Sequence, residues 1–314
     1  MLEAISILAS GKSFRTSSLE NVISHGAEIL RVFGKTPAGD RLGYQWSKAG
    51  KEIRINGETV SRLSALAQAL PLQSFTPDTH IEFTRSRKQR VAVLDWLLFH
   101  VEPGFHEAWF RYQRTLAQRN AALKNNQSAT VWDRELATLG EQVIQFRRRA
   151  LEWLRPHIER FVKAVPGTNG IEIKIKQGWA QDKTLMAALE DDIERDRRDG
   201  FTHAGAHRSD LDIELDGRKI REEASQGQLK TLVMALRLSQ LQYYTDQTGR
   251  SCIFLLDDLP AELDEVRRSE VLSVLANLPL QLFITSTEAG LVDLSKWGSG
   301  YRLFHVEHGS IYTE

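Results

Sequence analysis

The chain has 314 residues, enough for two average domains or one large discontinuous domain. It is 41% hydrophobic and 26% charged, as expected for a globular protein with a sizeable core, and 41 basic and 41 acidic residues leave no net charge with His neutral. This balance excludes a polybasic tail protein, and the single Cys252 excludes a disulfide framework and a Cys-based zinc site. No apolar run approaches the roughly 20 residues of a membrane span and no signal peptide is present, so we expect a soluble, cytoplasmic α/β protein without a membrane partner.

Residues 1–83 mix short helices with short strands. Apolar residues at helical spacing predict a helix over residues 1–10, and a second helix is predicted over 61–70, before Pro71. Three segments alternate apolar and polar residues between glycines, which predicts an antiparallel meander of residues 27–32, 41–47 and 52–56.

Residues 84–165 have a different pattern, with long series of apolar residues at heptad spacing. Two such series are separated by a polar segment, residues 124–128. The first series is Phe105, Trp109, Tyr112 and Leu116, and the second is Trp132, Leu136, Leu139, Val143, Phe146, Ala150 and Trp153. The spacing predicts two helices that pack side by side as an antiparallel, coiled-coil-like arm.

Residues 166–314 return to an α/β pattern. Alternation predicts strands at 171–175 and 211–215, and continuous apolar runs predict buried strands at 252–256 and 280–285. Helices are predicted from Ser225 to about Tyr244 and over 264–275. The rhythm of strand, helix and strand predicts parallel pairing, and hence a mixed or parallel sheet with flanking helices.

The apolar run at 253–256 ends in two carboxylates, Asp257 and Asp258. The carboxyl ends of buried parallel strands form the edge where α/β folds bind ligands. In phosphate-handling folds the first acid holds Mg²⁺ and the second polarises an attacking water. Two acids that cap the next turn are an equally good interpretation of these residues alone.

Two further segments have both a structural and a functional interpretation. Ser225-Gln226-Gly227-Gln228 is a capping box, and an exposed helix N-terminus of this kind also binds anions. Glu262-Leu263-Asp264 precedes a helix that Asp264 is placed to cap. Capping and phosphate recognition are compatible, so neither interpretation excludes the other.

Together these segments resemble the RecF family of bacterial DNA replication and repair proteins, which are ABC-type ATPases. Several blocks along nearly the whole chain carry the resemblance in the family's order. They are Leu2-Glu3-Ala4-Ile5 with Gly11-Lys12-Ser13-Phe14-Arg15, Leu94-Asp95-Trp96 with residues 99–105, residues 116–121, Gly205-Ala206-His207-Arg208-Ser209-Asp210-Leu211, and the stretch from Ser225 to Asp264. The resemblance implies an ABC-type ATPase head of residues 1–83 and 166–314, with residues 84–165 as the helical arm.

The resemblance also implies roles for the acids and for Gln73. Asp257 is similar to the Walker B acid associated with Mg²⁺, and Asp258 takes the position of the catalytic carboxylate of ABC enzymes. Gln73 is similar to a Q-loop glutamine, although a solvated loop residue explains it almost as well. Thr285-Ser286-Thr287 lies at the switch position, where ABC enzymes often have a histidine.

Two segments resemble motifs that act across a dimer interface. Ser225, Gln226, Gly227 and Gln228 resemble the signature that contacts ATP bound by a second subunit. Glu262, Leu263 and Asp264 resemble the D-loop that crosses the same interface. The resemblance therefore implies that ATP with Mg²⁺ acts mainly as a switch for a homodimer, with slow turnover.

The function that the resemblance implies is ATP-modulated DNA binding at gaps and single-strand–duplex junctions. There the protein would help RecO and RecR load recombinase during replication-coupled repair and the SOS response. Clustered basic residues are candidates for backbone contacts with DNA, although a solvated helical face explains many such runs. They are Arg85, Arg87, Lys88, Arg90, Arg147, Arg148 and Arg149, with Arg195, Arg197 and Arg198 as a further cluster.

One motif of the nucleotide site, the P-loop, is expected to be missing from this chain. The family's P-loop would lie immediately before Leu2, and Gly11-Lys12-Ser13 cannot replace it, because Ser6 stands where G-x-x-x-x-G-K-[ST] requires glycine. The strand before that loop would be absent as well, which predicts an unpaired edge beside residues 252–256. Weak ATP binding by this chain is therefore expected, and the alternative function is a non-hydrolysing DNA-binding scaffold.

Overall fold

The computed structural model describes residues 1–164, 170–307 and 310–313. In chain order the helices are α1 (Leu2–Ser10), α2 (Leu63–Ala69), α3 (Thr79–Arg85), α4 (Arg87–Val101), α5 (Pro103–Lys124), α6 (Asp133–Ala164), α7 (Leu185–Asp191), α8 (Ile193–Asp199), α9 (Ile220–Glu223), α10 (Gln226–Thr248), α11 (Leu259–Glu262) and α12 (Glu265–Leu275). The strands are β1 (Leu30–Lys35), β2 (Arg41–Ser47), β3 (Gly50–Ile55), β4 (Glu58–Thr59), β5 (Leu72–Phe75), β6 (Ile171–Lys176), β7 (Asp210–Leu215), β8 (Arg218–Lys219), β9 (Ile253–Leu256), β10 (Gln281–Ile284), β11 (Phe304–Glu307) and β12 (Ser310–Thr313).

The N-terminal part is a four-stranded antiparallel sheet, β1-β2-β3-β4, covered on one face by α1 and α2. Leu42, Tyr44 and Ile53 point to this inner face because strand residues alternate between the two faces. Gly34 lets α1 approach closely, since a Cβ there would lie 2.6 Å from Leu8 Cδ2. The helix and the antiparallel meander that the sequence predicts are confirmed.

A second sheet of three parallel strands, β10-β9-β5, carries the apolar run predicted at 252–256. Phe254, Leu255 and Leu256 of β9 are fully buried, which confirms the prediction of a strand covered on both faces. The expected unpaired edge beside this strand is wrong, because β9 is paired on one side with β10 and on the other with β5. Within the described residues the edge strands are β10 and β5, and the apolar residues of β10 are only half-buried.

The helical region contains the predicted pair of antiparallel helices, α5 and α6. Glu102, just before α5, pairs with Arg149 near the middle of α6, whereas Arg111 further along α5 pairs with Glu135 near the start of α6. This reversed order confirms the antiparallel arrangement. One hydrophobic cluster runs without a break from these helices through α10 into β9, so the division into an arm and a head stays a prediction.

Residues 171–219 contain a third, antiparallel sheet, β6-β7-β8, and the last described strands form the antiparallel pair β11-β12. The strands predicted at 171–175 and 211–215 are confirmed and pair directly with each other. Within the part of the chain that the structure describes, no helix is both long and apolar enough to cross a membrane.

Candidate functional site

Asp257 and Asp258 follow β9 at the carboxyl edge of the parallel sheet. Thr285 follows the neighbouring strand β10, and its hydroxyl donates to Asp257 Oδ1 at 2.9 Å and accepts from the Asp258 amide at 2.9 Å. One threonine thereby orders both acidic positions. The structure places the two acids, together with a residue from the predicted switch segment, at the edge where α/β sheets bind ligands.

Asp258 has an uncommon backbone conformation, with φ 54° and ψ 48°. This left-handed region is unfavourable for most residues other than glycine, and Asp and Asn tolerate it best. The bend turns the chain sharply from β9 into α11, and the hydrogen bond from the Asp258 amide to Thr285 holds it. Among the described residues the Asp258 carboxylate forms no ion pair, so it is free to accept a proton from a water.

Arg15 is a residue of this site that sequence reasoning did not assign. Its Nη2 lies 3.3 Å from Oδ1 and 3.2 Å from Oδ2 of Asp257. The Arg15 side chain is 63% exposed and that of Asp257 only 12%, so the pair stabilises the fold by no more than about 1 kcal/mol. The two residues are 242 positions apart, and no spacing rule could have paired them.

Gly11-Lys12-Ser13 does not form a phosphate-binding loop in the structure. Gly11 is the left-handed C-cap of α1, with φ 67°, and its amide donates to the Ile7 carbonyl. A P-loop lies at the N-terminus of a helix, where free amides point at the phosphates, whereas Gly11 lies at a C-terminus. The exclusion of this segment as a P-loop is confirmed.

The N-terminus of α10 forms the predicted capping box. The Ser225 hydroxyl accepts from the Gln228 amide at 3.2 Å, and the Ser225 amide donates to Gln228 Oε1 at 2.9 Å. Ser225 and Gln226 are exposed, whereas Gly227 lies under Arg267 of α12, because a Cβ on it would come 3.1 Å from Arg267 Nη1. The signature-like segment therefore packs against the helix that follows the D-loop-like segment of the same chain.

The three D-loop-like residues differ in accessibility. Glu262 is buried and its carboxylate lies 3.1 Å from Lys230 Nζ of α10, and Leu263 is part of the core. Their side chains are thus not available to a second subunit, which corrects the prediction for these two positions. Asp264 is exposed and caps α12 by accepting from the Arg267 amide at 2.9 Å, a hydrogen bond that lowers the pKa of its carboxyl. The predicted N-cap is confirmed.

Gln73 is not a loop residue. It lies in β5 opposite Phe254, three residues before the level of Asp257, and is 4% exposed. Its Oε1 accepts from Arg237 Nη1 at 2.8 Å, and burial lowers the pKa of Arg237 to about 10. The alternative of a solvated loop residue is therefore wrong, whereas the Q-loop interpretation stays a prediction for a side chain that lies about 10 Å short of the sheet edge.

Two of the basic residues predicted to contact DNA are buried and paired. Arg90 donates to both oxygens of Asp210, at 2.7 and 2.9 Å, and Arg147 donates to both oxygens of Asp95, at 2.7 and 2.8 Å. Both arginines are 2% exposed. The DNA-binding prediction is wrong for Arg90 and Arg147, since both guanidinium groups are buried and already held by a carboxylate, out of reach of a DNA phosphate.

The other basic residues are exposed. Those before and within the arm point to solvent, and they are Arg85, Arg87, Lys88, Arg148 and Arg149. Arg87 also lines an open cleft of about 500 Å³ that includes Trp179 and Arg208. The further cluster on α8 is different, because Arg195, Arg197 and Arg198 pair with acids on the same helix, as expected for a solvated helical face.

The fold and this site define a class of protein. The family model described as "RecF/RecN/SMC N terminal domain" matches residues 1–311. A solved structure of an SmcHead bound to the C-winged helix domain of ScpA has the same overall fold, with a TM-score of 0.52 and 11% identity over 99% of this chain and 84% of the other. The class is that of ABC-type ATPase heads.

Sequence relatives narrow the class to one family. A DNA replication and repair protein RecF from Cellvibrio japonicus is 38% identical over 99% of this chain and 88% of its own length, and one from Thioalkalivibrio sulfidiphilus is 36% identical over the same shares. A solved structure of the recombination mediator protein RecF with ATPrS has a TM-score of 0.83 and 24% identity, over 99% of this chain and 87% of the other. The chain belongs to the RecF family of DNA replication and repair proteins.

Proposed function

We propose that this protein binds DNA at gaps and single-strand–duplex junctions under the control of ATP, and that it helps RecO and RecR load recombinase in replication-coupled repair and the SOS response. Membership of the RecF family supports the pathway. The observation that carries the ATP-linked part is the joint ordering of Asp257 and Asp258 by Thr285 at the sheet edge. This arrangement suits an acid that binds a cation and a neighbour that activates water.

The residues at this edge fit Mg²⁺ that is held mainly by a nucleotide. Such sites use one or two carboxylates together with phosphate oxygens, and Asp257 supplies one carboxylate with the Thr285 hydroxyl beside it. Among the described residues no group of three His, Cys, Asp or Glu side chains could hold a metal without the nucleotide. Asp257 would hold the Mg²⁺ of a bound nucleotide, and the ion would supply positive charge that offsets the charge of the phosphates. The Asp258 carboxylate would accept the proton of the attacking water.

ATP acts in this proposal as a switch for a homodimer. The exposed residues of the signature-like segment, Ser225 and Gln226, and the exposed Asp264 of the D-loop-like segment form the surface that faces the second subunit. Because Gly227 and Arg267 pack together, both segments move as one unit when the interface closes. The cellular location that this role requires is the cytoplasm.

Duplex contacts in this proposal come from the exposed basic residues Arg85, Lys88, Arg148 and Arg149. Phosphate contacts position a protein on DNA without reading sequence, and each contact adds about 0.9 to the slope of log affinity against log salt. Within the described residues Arg85 and Lys88 form no ion pair, so they are available to phosphates.

The test is fluorescence anisotropy of the full chain with labelled gapped duplex, blunt duplex and single strands. We expect the tightest binding at the gap, and we expect Arg85, Lys88, Arg148 and Arg149 replaced together by Ala to lower the salt slope for duplex by about 3, because Glu102 already partly neutralises Arg149. Replacing Arg195, Arg197 and Arg198 by Ala is the control, because neighbouring acids already neutralise them. An unchanged slope in the first variant would remove those residues from the duplex site.

One observation favours the alternative of a non-hydrolysing scaffold: Arg15 already neutralises Asp257. Titration with a fluorescent ATP analogue in the presence of Mg²⁺ separates the two functions. Nucleotide binding that tightens the complex with gapped DNA supports the ATP-linked function, whereas DNA binding that ATP leaves unchanged supports the scaffold.

A further inference from the structure

The outer face of the sheet β1-β4 has an unusual composition. Strand residues that alternate with the half-buried Val32 and the buried Tyr44 point away from α1 and α2, and three of them lie in a row on β1: Arg31, Phe33 and Lys35. Phe33 is 71% exposed, although an aromatic ring in a sheet normally contributes its large apolar surface to a core. The register cannot slip to bury Phe33, because one step would expose every residue of the inner face.

Space is open beside the Phe33 ring. Its partner on β2 is Gly43, and the next residue across the sheet is Arg54 on β3. The nearest atom to a Cβ built on Gly43 is 3.8 Å away, so the glycine is not required by packing. The absence of a side chain at this position leaves one side of the ring open to a planar ligand.

The ring is surrounded by positive charge. Arg31 and Lys35 flank it on β1, and Arg41 lies opposite Lys35 on β2. Within the described residues these three cations form no ion pair, whereas the neighbouring Arg54 is paired with Glu52 at 2.7 Å. We name Arg31, Phe33, Lys35, Arg41 and Gly43 the basic sheet face.

We propose that the basic sheet face binds single-stranded DNA, with a base stacked on Phe33 above Gly43 and with phosphates on Arg31, Lys35 and Arg41. An exposed ring among unpaired cations on an antiparallel sheet matches the way sheets bind unstacked bases, because every base has a face to stack and every linkage a charge. A protein partner would be favoured by a continuous apolar patch, and here the ring is bordered by cations. The inference rests on the proposed function and names the surface for its single-stranded part.

The test is anisotropy of a labelled oligo(dT) with the full chain. We expect Phe33→Ala to weaken binding by roughly 5- to 150-fold, the range for loss of one stacked base, and Phe33→Tyr to keep it. Gly43→Val is the second variant: its side chain fits the strand but covers the open side of the ring, so binding should fall while the protein stays folded. Arg31, Lys35 and Arg41 replaced together by Gln should lower the salt slope by about 2.

Phe110→Ala is the matched control, since Phe110 is an exposed phenylalanine, 57% accessible, on α5 rather than on the sheet. Oligo(dT) binding by Phe33→Ala within twofold of the unsubstituted chain would overturn the proposal. Full binding by Phe33→Leu would also overturn it, because it would indicate an apolar contact, as with a protein partner, instead of stacking. If the chain binds duplex but not oligo(dT), this inference alone is wrong. If it binds neither DNA, the proposed function is wrong as well.

Discussion

Asp258 combines the role of base proposed above with a backbone conformation that few residues accept. Its left-handed φ of 54° explains why an acid or an amide is suited to this position and a branched residue is not. Asp258→Asn keeps the local geometry and removes the base, so we expect an unchanged melting temperature and ATP hydrolysis slowed at least about 100-fold in single-turnover assays. Asp258→Val should destabilise the fold by about 1–2 kcal/mol. Equal hydrolysis by the Asn variant would exclude Asp258 as the base.

Arg15 competes with any cation that approaches Asp257. The guanidinium reaches both carboxylate oxygens but is itself mostly in water, so a divalent ion can displace it at modest cost. We therefore expect Arg15→Gln to lower the Mg²⁺ concentration needed for half-maximal binding of a fluorescent ATP analogue, with little change in stability. A higher Mg²⁺ requirement in this variant would instead indicate that Arg15 contacts the nucleotide.

Among the elements, the turn at 205–211 joins the helical region to the rest of the chain. The Tyr112 hydroxyl of α5 lies 2.8 Å from His207 Nδ1, and Arg147 of α6 donates to the Ala206 carbonyl at 2.8 Å. Arg90 of α4 pairs with Asp210 at the start of β7. This segment carries part of the resemblance to the RecF family, and its contacts hold α4, α5 and α6 together.

Helix α6 has a glycine at position 140, where helix propensity alone would favour alanine by about 1 kcal/mol. A Cβ there would overlap Leu185 Cδ2 of α7 and lie 3.0 Å from Tyr112 Cε2 of α5. Because overpacking costs about 1–3 kcal/mol, we expect Gly140→Ala to lower the free energy of unfolding by about 1 kcal/mol in urea titrations. Gly104→Ala is the control, since its Cβ would make an ordinary contact at 3.4 Å with Phe146. A more stable Gly140→Ala variant would contradict the packing argument.

Sequence reasoning succeeded where local pattern decides structure. Heptad spacing identified α5 and α6, and the capping box located the start of α10 at Ser225. It failed where a distant partner decides the role of a side chain. Arg90 and Arg147 have the sequence context of surface arginines, and Asp210 and Asp95 bury them from 120 and 52 positions away. Arg15 was missed for the same reason.

At the scale of the whole molecule, stability should depend on pH mainly through His100 and His207, the two histidines with the largest pKa shifts. Burial lowers the pKa of His100 and of His207 to about 4, with smaller contributions from nearby arginines. Each is then neutral in the folded chain while the unfolded chain takes up a proton below about pH 6.5, so stability falls as pH drops from about 6.5 to 4. We expect a slope of about 1 kcal/mol per pH unit for each histidine.

Urea unfolding at several pH values measures this slope. His207→Gln should reduce it by somewhat less than half, because one of the two most strongly shifted groups is lost while His80 and His157, whose pKa burial also lowers, remain. His25→Gln is the matched control. Because His25 is exposed, this variant should leave the slope of stability against pH unchanged. A flat stability profile between pH 6.5 and 4 would contradict the assignment.

The contacts of α10 have a mechanical consequence. Near its C-terminal end, Tyr243 stacks on Trp153 of α6 and Gln242 accepts from Arg160, while Ser225, part of the proposed dimer surface, caps its other end. A helix is stiff, and about 27 Å separate these two ends. Helix α10 would therefore transmit motion as a rigid element. A rotation of the helices packed at its C-terminal end would turn α10 as a whole and displace the segment at Ser225, because no hinge lies between the two ends. If the DNA contacts proposed for α6 form, tension in the bound DNA would be transmitted through α10 to the proposed dimer surface at Ser225.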